Sequence, residues 1–230
     1  MIVVSAGYDP AWFSLYAKEE QPVSGRAELV LQSITDELVR FVEARYRTLL
    51  YRIFPGHSSS ALFLLHGMLA APDVMQAVLA AGPMFAEFDY TRAAAILEKS
   101  LATRPARTQF LFYTQGDQPE LTRDLKAFGA WLASRQPRGL KWEFNPEPEA
   151  NHSSLHVKTL YDGLRTLYAD WATLPERVAL GSADAVRACI IIPVCIDTSS
   201  PNHTMSAPSS MKRRLAARGK RITLSMSAWT

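Results

Sequence analysis

This 230-residue chain has only two cysteines, no apolar run near the ~20 residues that a membrane-spanning helix needs, and no acidic residue after Asp197. Each shortage excludes something. Cys189 and Cys195 bracket Ile190-Ile191-Ile192-Pro193-Val194, and in an extended chain they sit roughly 20 Å apart at ~3.3 Å per residue. A disulfide needs Cα atoms within ~7 Å, so two free thiols are expected. There is no Cys-x-x-Cys or paired-histidine spacing, and neither metal nor cofactor is expected. The opening Met1-Ile2-Val3-Val4-Ser5 has no basic n-region and too little apolar length for a signal peptide. That start points to a cytoplasmic chain that does not enter a membrane.

The missing acids make the tail basic. From Thr198 onward, six cations (Lys212, Arg213, Arg214, Arg218, Lys220 and Arg221) face no carboxylate, so the net charge of +3 leaves the rest of the chain at −3. Apart from Trp229 the tail has no aromatic residue to stack on a base, and a nucleic-acid partner is not expected. Its Ser, Pro and Thr content reads as a solvated, poorly ordered segment.

What is present is enough for one core. Apolar residues make up 48% of the sequence, which is globular at this length. Short apolar runs alternate with helical patterns. Strands are predicted over 2–6, 51–54, 77–81, 109–114 and 140–144. Helices are predicted over 28–45, 58–70, 90–101, 120–134 and 156–171. Strand–helix alternation implies an α/β fold with a mostly parallel sheet flanked by helices. The alternation stops near Ser182, which divides the chain into a domain over 1–182 and a tail over 183–230.

Chemistry concentrates at Pro55-Gly56-His57-Ser58-Ser59-Ser60. A strand pattern enters it and a helical run leaves it. Strand, sharp turn with a central serine, then helix is the setting of a nucleophile elbow, G-x-S-x-G, here with Ser60 in place of the last glycine. A plain strand-to-helix turn with a capping serine has the same appearance. The order of two later segments favours chemistry. Gly116-Asp117-Gln118-Pro119-Glu120 comes after one predicted strand and Asn151-His152-Ser153 after another. Serine, acid, histidine is the order in which α/β-hydrolases present a catalytic triad. Strand C-terminal ends are where open α/β sheets place their sites.

From about Gly25 to Trp171 the chain resembles the enterochelin-type siderophore esterases and esterase D-like enzymes of the α/β-hydrolases. The resemblance rests on Asp36-Glu37-Leu38, Glu43-Ala44-Arg45-Tyr46-Arg47-Thr48, Gly56-His57-Ser58, Gly139-Leu140-Lys141-Trp142, Asn151-His152-Ser153 and Leu160-Tyr161-Asp162-Gly163-Leu164-Arg165. It implies a serine esterase acting on a small-molecule carboxylic ester. In that reading Ser58 is the nucleophile, His152 the general base, and Glu120, or failing that Asp117, the acid. The Ser59 N–H is an oxyanion donor. The same resemblance allows a non-catalytic remnant that keeps part of the fold as a binding module.

His57 is expected to point away from Ser58, His66 to occupy a helix face, and Asp162-Gly163 to serve packing. Trp12, Phe13 and Tyr16 fit either an acyl pocket or the core. Relatives of this type carry several strands before the one that Ile2 to Ala6 matches, including the loop with a second oxyanion N–H. The expectation is therefore a domain short of its first strands, with an uncovered sheet edge open to self-association. The tail resembles nothing in those relatives, and a replacement arising from a shifted reading frame is expected.

Overall fold

The alternating pattern becomes a sheet covered on both faces in a computed structural model, which describes residues 2–19, 24–85, 90–103, 108–169, 188–192, 194–196 and 224–228. The strands are β1 (Ile2–Tyr8), β2 (Thr48–His57), β3 (Ala77–Ala81), β4 (Gln109–Gln115), β5 (Leu140–Pro146), β6 (Ala188–Ile191), β7 (Val194–Ile196) and β8 (Leu224–Ala228). The helices are α1 (Ala27–Gln32), α2 (Val39–Glu43), α3 (Ser59–Ala70), α4 (Tyr90–Thr103), α5 (Pro119–Arg135) and α6 (His152–Leu167). A π-helical stretch, Ser33–Leu38, joins α1 to α2, and Pro10–Phe13 forms a 3-10 turn.

Strands β5, β4, β3 and β2 lie side by side, all parallel. Each successive strand is added on the same side of its predecessor, so right-handed crossovers put the three connecting helices on one face. Leu62 of α3, Leu97 of α4 and Leu125 and Phe128 of α5 accordingly share a core with Val78, Ala80, Leu111 and Tyr113. The alternate strand residues Ile53, Ala77, Leu79 and Phe112 face the other way, against Leu164 and Leu167 of α6. Period-two alternation thus feeds both faces, and strands buried on both sides read as continuous apolar runs. Gly163 lets α6 approach closely, because a Cβ there would come 2.8 Å from Leu79 Cδ2 and 3.1 Å from Phe112 Cδ1. That is the packing role expected for the Asp162-Gly163 pair.

β2 and β1 are not paired with each other. β6 lies between them, parallel to both, and β7 continues along β1 with Val194 opposite Gly56 of β2. Ile192, buried between β6 and β7, donates its N–H to Ile53 O at 2.8 Å. β8 adds to β1 antiparallel. Three segments of the stretch expected to be poorly ordered are therefore strands of the sheet; the rest of that stretch lies outside the described residues. The side chains of Trp12 and Phe13 are buried in the main core, Phe13 with its ring 5.4 Å from that of Phe63. Of the two roles weighed for them, this is core packing. Among the described residues no helix is long and apolar enough to cross a membrane.

Candidate active site

β2 must reverse sharply into α3, and the strain falls on Ser58. Its backbone has φ 61° and ψ −123°, outside the regions open to ordinary L-residues. Ser58 and Gln136 are the only non-glycine residues with positive φ among those described. The turn is pinned on three sides. Ser58 N–H donates to Ala81 O at 2.9 Å, and Ser58 O accepts from Leu62 N–H at 3.2 Å and Met84 N–H at 3.4 Å. Gly56 has no room for a side chain, since a Cβ there would meet Leu64 Cδ1 at 2.6 Å and the Ser60 carbonyl at 3.2 Å.

Ser60 does more than substitute for a small residue. Its buried hydroxyl donates to His57 O at 2.8 Å and accepts from His57 N–H at 3.0 Å. Two backbone groups at the tightest point of the turn are satisfied by this one side chain, which a glycine could not do.

His152 is the first residue of α6, not a cap. The cap is Asn151, whose side chain accepts from Ser154 N–H at 2.9 Å. The helix therefore begins four residues before the predicted His156. His152 reaches the same end of the sheet as Ser58. Its ring lies 4.2 Å from that of His57, tilted by 43°. No hydrogen bond joins Ser58 Oγ to His152, and the Ser58 side chain does not cap α3. Loose serine–histidine geometry is common in sites without substrate.

The partner of His152 Nδ1 is an amide. Gln118 Oε1 lies 2.7 Å from it. Two loops carry this pair, and backbone bonds stitch them together. Asp117 N–H donates to Ala150 O at 2.7 Å, and Glu147 N–H to Gln115 O at 2.7 Å. A Cβ at Gly116 would come 2.4 Å from Ala150 O, so only glycine permits that approach. The pair sits over Gly82, where a Cβ would be 3.7 Å from Gln118 Oε1 and 3.9 Å from His152 Nδ1.

The two acids named from the sequence stand differently. Asp117 is exposed, and its loop position turns Gln118, not Asp117, toward His152. Glu120 is the second residue of α5, and its side chain lies outside the described residues. Gln118 escaped sequence reasoning because a neutral amide carries no charge signal. The one clue was its position between two candidate acids.

Three imidazoles crowd this end of the sheet, with the His57 and His156 rings 5.6 Å apart. Burial, and after it the charge of His152, hold His57 down to about 4, so it stays neutral at neutral pH. Its Nε2 is buried without a hydrogen-bond partner. His57 was expected to point away from Ser58 in a structural role, and it packs against the proposed base. Among the described residues no three His, Cys, Asp or Glu side chains are grouped to hold a metal ion.

A second histidine network lies away from this end. Buried His66 of α3 meets Glu28 Oε1 through Nε2 at 2.8 Å and Ser100 Oγ through Nδ1 at 3.3 Å. It ties α3 to α1 and α4, where the sequence suggested a simple helix-face residue.

No protein-family model and no curated protein matches this chain. Solved structures do. An IroE-like serine hydrolase from Shewanella oneidensis is similar with TM-score 0.63 and 22% identity, over 70% of this chain and 57% of that one. The BES protein from Bacillus cereus is similar with TM-score 0.59 and 20% identity, over 68% and 62%. The siderophore hydrolase EstA from Aspergillus nidulans is similar with TM-score 0.53 and 18% identity, over 70% and 67%. This chain thus spans less than two thirds of the length of the first two. Proteins named as serine and siderophore hydrolases are the neighbours to which the sequence resemblance pointed, and the sheet described here has the α/β-hydrolase fold.

Proposed function

We propose that the chain is a serine hydrolase of small carboxylic esters, with Ser58 as nucleophile and His152 as general base. The observation that carries this reading is the strained backbone of Ser58 at a strand-to-helix turn. A turn of this kind raises the serine Oγ above the strand ends, where a substrate carbonyl can reach it. Residues held in such conformations cost about 1–3 kcal/mol and cluster at functional sites. The hydrolase names of the similar structures support the same reading.

The chemistry balances in two half-reactions. Ser58 Oγ attacks the ester carbonyl carbon while His152 Nε2 takes the hydroxyl proton. The tetrahedral oxyanion is met by the Ser59 N–H at the first turn of α3, a terminus whose N–H groups lack helical partners. Collapse breaks the bond to the leaving alkoxide, which receives the proton from His152, and leaves an acyl-Ser58. Water then attacks, giving its proton to His152 Nε2. The second collapse returns that proton to Ser58 Oγ and releases the acid.

Hydrolysis of p-nitrophenyl acetate by the full chain tests this reading. Ser58→Ala and His152→Ala are each expected to remove it while the fold persists. Hydrolysis undiminished in Ser58→Ala would overturn it.

A further inference from the structure

We propose that Gln118 is the positioning residue of this site, orienting His152 through a neutral amide where a serine hydrolase of the triad type uses a carboxylate. The proposal rests on the reading of Ser58 and His152 given above. The geometry at Nδ1 is what a triad requires, with a short hydrogen bond of 2.7 Å to an oxygen acceptor. The acceptor is also held in place. Gln118 N–H donates to Gly116 O at 2.8 Å, and Gln118 O accepts from Leu121 N–H at 3.1 Å as α5 begins. Pro119 comes next in the chain and fixes the entry to the helix.

An amide at this position has two effects. With Oε1 at Nδ1, the ring proton stays on Nδ1 and the lone pair stays on Nε2, the tautomer a general base needs. Turned over, the same amide would donate from its own Nε2 and put the ring proton on the wrong nitrogen. A carboxylate accepts only, so it enforces one tautomer, whereas glutamine merely favours it. The second effect concerns charge. When His152 takes the serine proton it becomes a cation, and a carboxylate stabilises that cation while an amide dipole does so weakly.

Among the described residues around His152, none adds a compensating charge at hydrogen-bond distance. The ring of His57 of β2 packs against the His152 ring at a tilt, and His156, one turn on in α6, flanks His57. Gly82, after β3, does not titrate. Asp117 is exposed beside Gln118, and the Glu120 side chain is outside the described residues. Among the described residues, a site built in this way is complete in position and deficient in charge.

The test uses Gln118→Glu and Gln118→Ala in the full chain, with long-range 1H–15N imidazole spectra recorded from pH 4 to 9 and His152→Gln supplying the assignment. In the parent chain His152 is expected as the Nδ1–H tautomer. Gln118→Glu should raise its titration midpoint by about 1–3 pH units, as a carboxylate at hydrogen-bond distance does. It should also raise kcat for p-nitrophenyl acetate about 10- to 10⁴-fold. The acid limb of the kcat/KM profile should move with the midpoint. Gln118→Ala should lower kcat, leave KM near its parent value, and mix the tautomers. If Gln118→Ala fails to fold, Gln118→Glu alone decides, since it is nearly isosteric. A His152 midpoint and tautomer that neither substitution changes would overturn the proposal. Hydrolysis persisting in Ser58→Ala would instead overturn the reading beneath it, and the spectra remain informative in either case.

Discussion

The His57 ring packs against the His152 ring with centroids 4.2 Å apart and planes tilted by 43°, and the two belong to different elements, the end of β2 and the start of α6. His57 is neutral where His152 is asked to take a proton. Two adjacent imidazolium ions would repel, so a depressed His57 leaves the charge to its neighbour.

That depression makes stability depend on pH. The ordinary value for His57 is 6.5 and in the fold it is about 4. Between these values the unfolded chain binds a proton that the folded chain refuses, so stability falls as pH drops from 6.5 towards 4 and levels off below. His57→Phe keeps a ring against His152 and removes both the titration and the unpartnered Nε2. Urea unfolding at pH 7, 5.5 and 4 is expected to show a weaker decline in His57→Phe than in the parent. Equal declines would mean that His57 does not carry this linkage.

Glu28 acts in a lower window. The hydrogen bond from His66 holds its carboxyl below the usual 4.5, so the stability it contributes is present above that value and lost as pH falls through it. The Glu28 side chain is largely exposed, which limits the effect to within roughly 1 kcal/mol. Glu28→Gln should therefore lower stability above pH 4.5 by up to roughly 1 kcal/mol, without changing its slope between 5 and 7, and flatten the profile below 4.5 in urea unfolding.

Ser60 should be costly to remove. Ser60→Ala leaves the partly buried N–H and carbonyl of His57 without the hydroxyl they share. Each stranded group costs about 1–3 kcal/mol, so a loss in that range is expected by chemical denaturation. A change below about 0.5 kcal/mol, the size of ordinary surface substitutions, would mean that the turn holds without these bonds.

The sheet order sets the role of the C-terminal strands. β1 reaches the rest of the sheet only through β6 and β7, among the described pairings. Val194 lies opposite Gly56, two residues from Ser58. A chain ending at Arg187 should therefore unfold at lower temperature and lose protection of β1 amides in hydrogen exchange. Retained protection of β1 in the shortened chain would show that the strand stands without them.

Much of this was legible in the sequence, for identifiable reasons. β3 falls on 77–81 as predicted because a strand buried on both faces is a plain apolar run between turn signals. Ser58 and His152 could be nominated because the elbow pattern and the order of the segments are written in the chain itself. The start of α6 differs from the predicted 156 because Asn151 caps the helix there, and the apolar period alone does not report a polar first turn. β6, β7 and β8 were missed because their pairing is with strands far away in sequence, and Ile190-Ile191-Ile192 has no period of its own. Gln118 was missed because position, not residue type, gives it its role.

Slow turnover is the expected kinetic signature. A neutral partner at His152 places p-nitrophenyl acetate hydrolysis well below the ~10 per second of a median enzyme. A rate at or above that level, lost in Ser58→Ala, would show that the amide does not limit turnover.

The central claim is that Ser58 is an activated nucleophile, and covalent labelling tests it without any choice of substrate. Treatment of the folded full chain with a fluorophosphonate, then intact-mass and peptide mass spectrometry, should show one adduct on the peptide containing Ser58. The adduct should be absent from Ser58→Ala and greatly slowed in His152→Ala. No adduct on the folded parent chain, or an adduct that survives Ser58→Ala, would contradict the account.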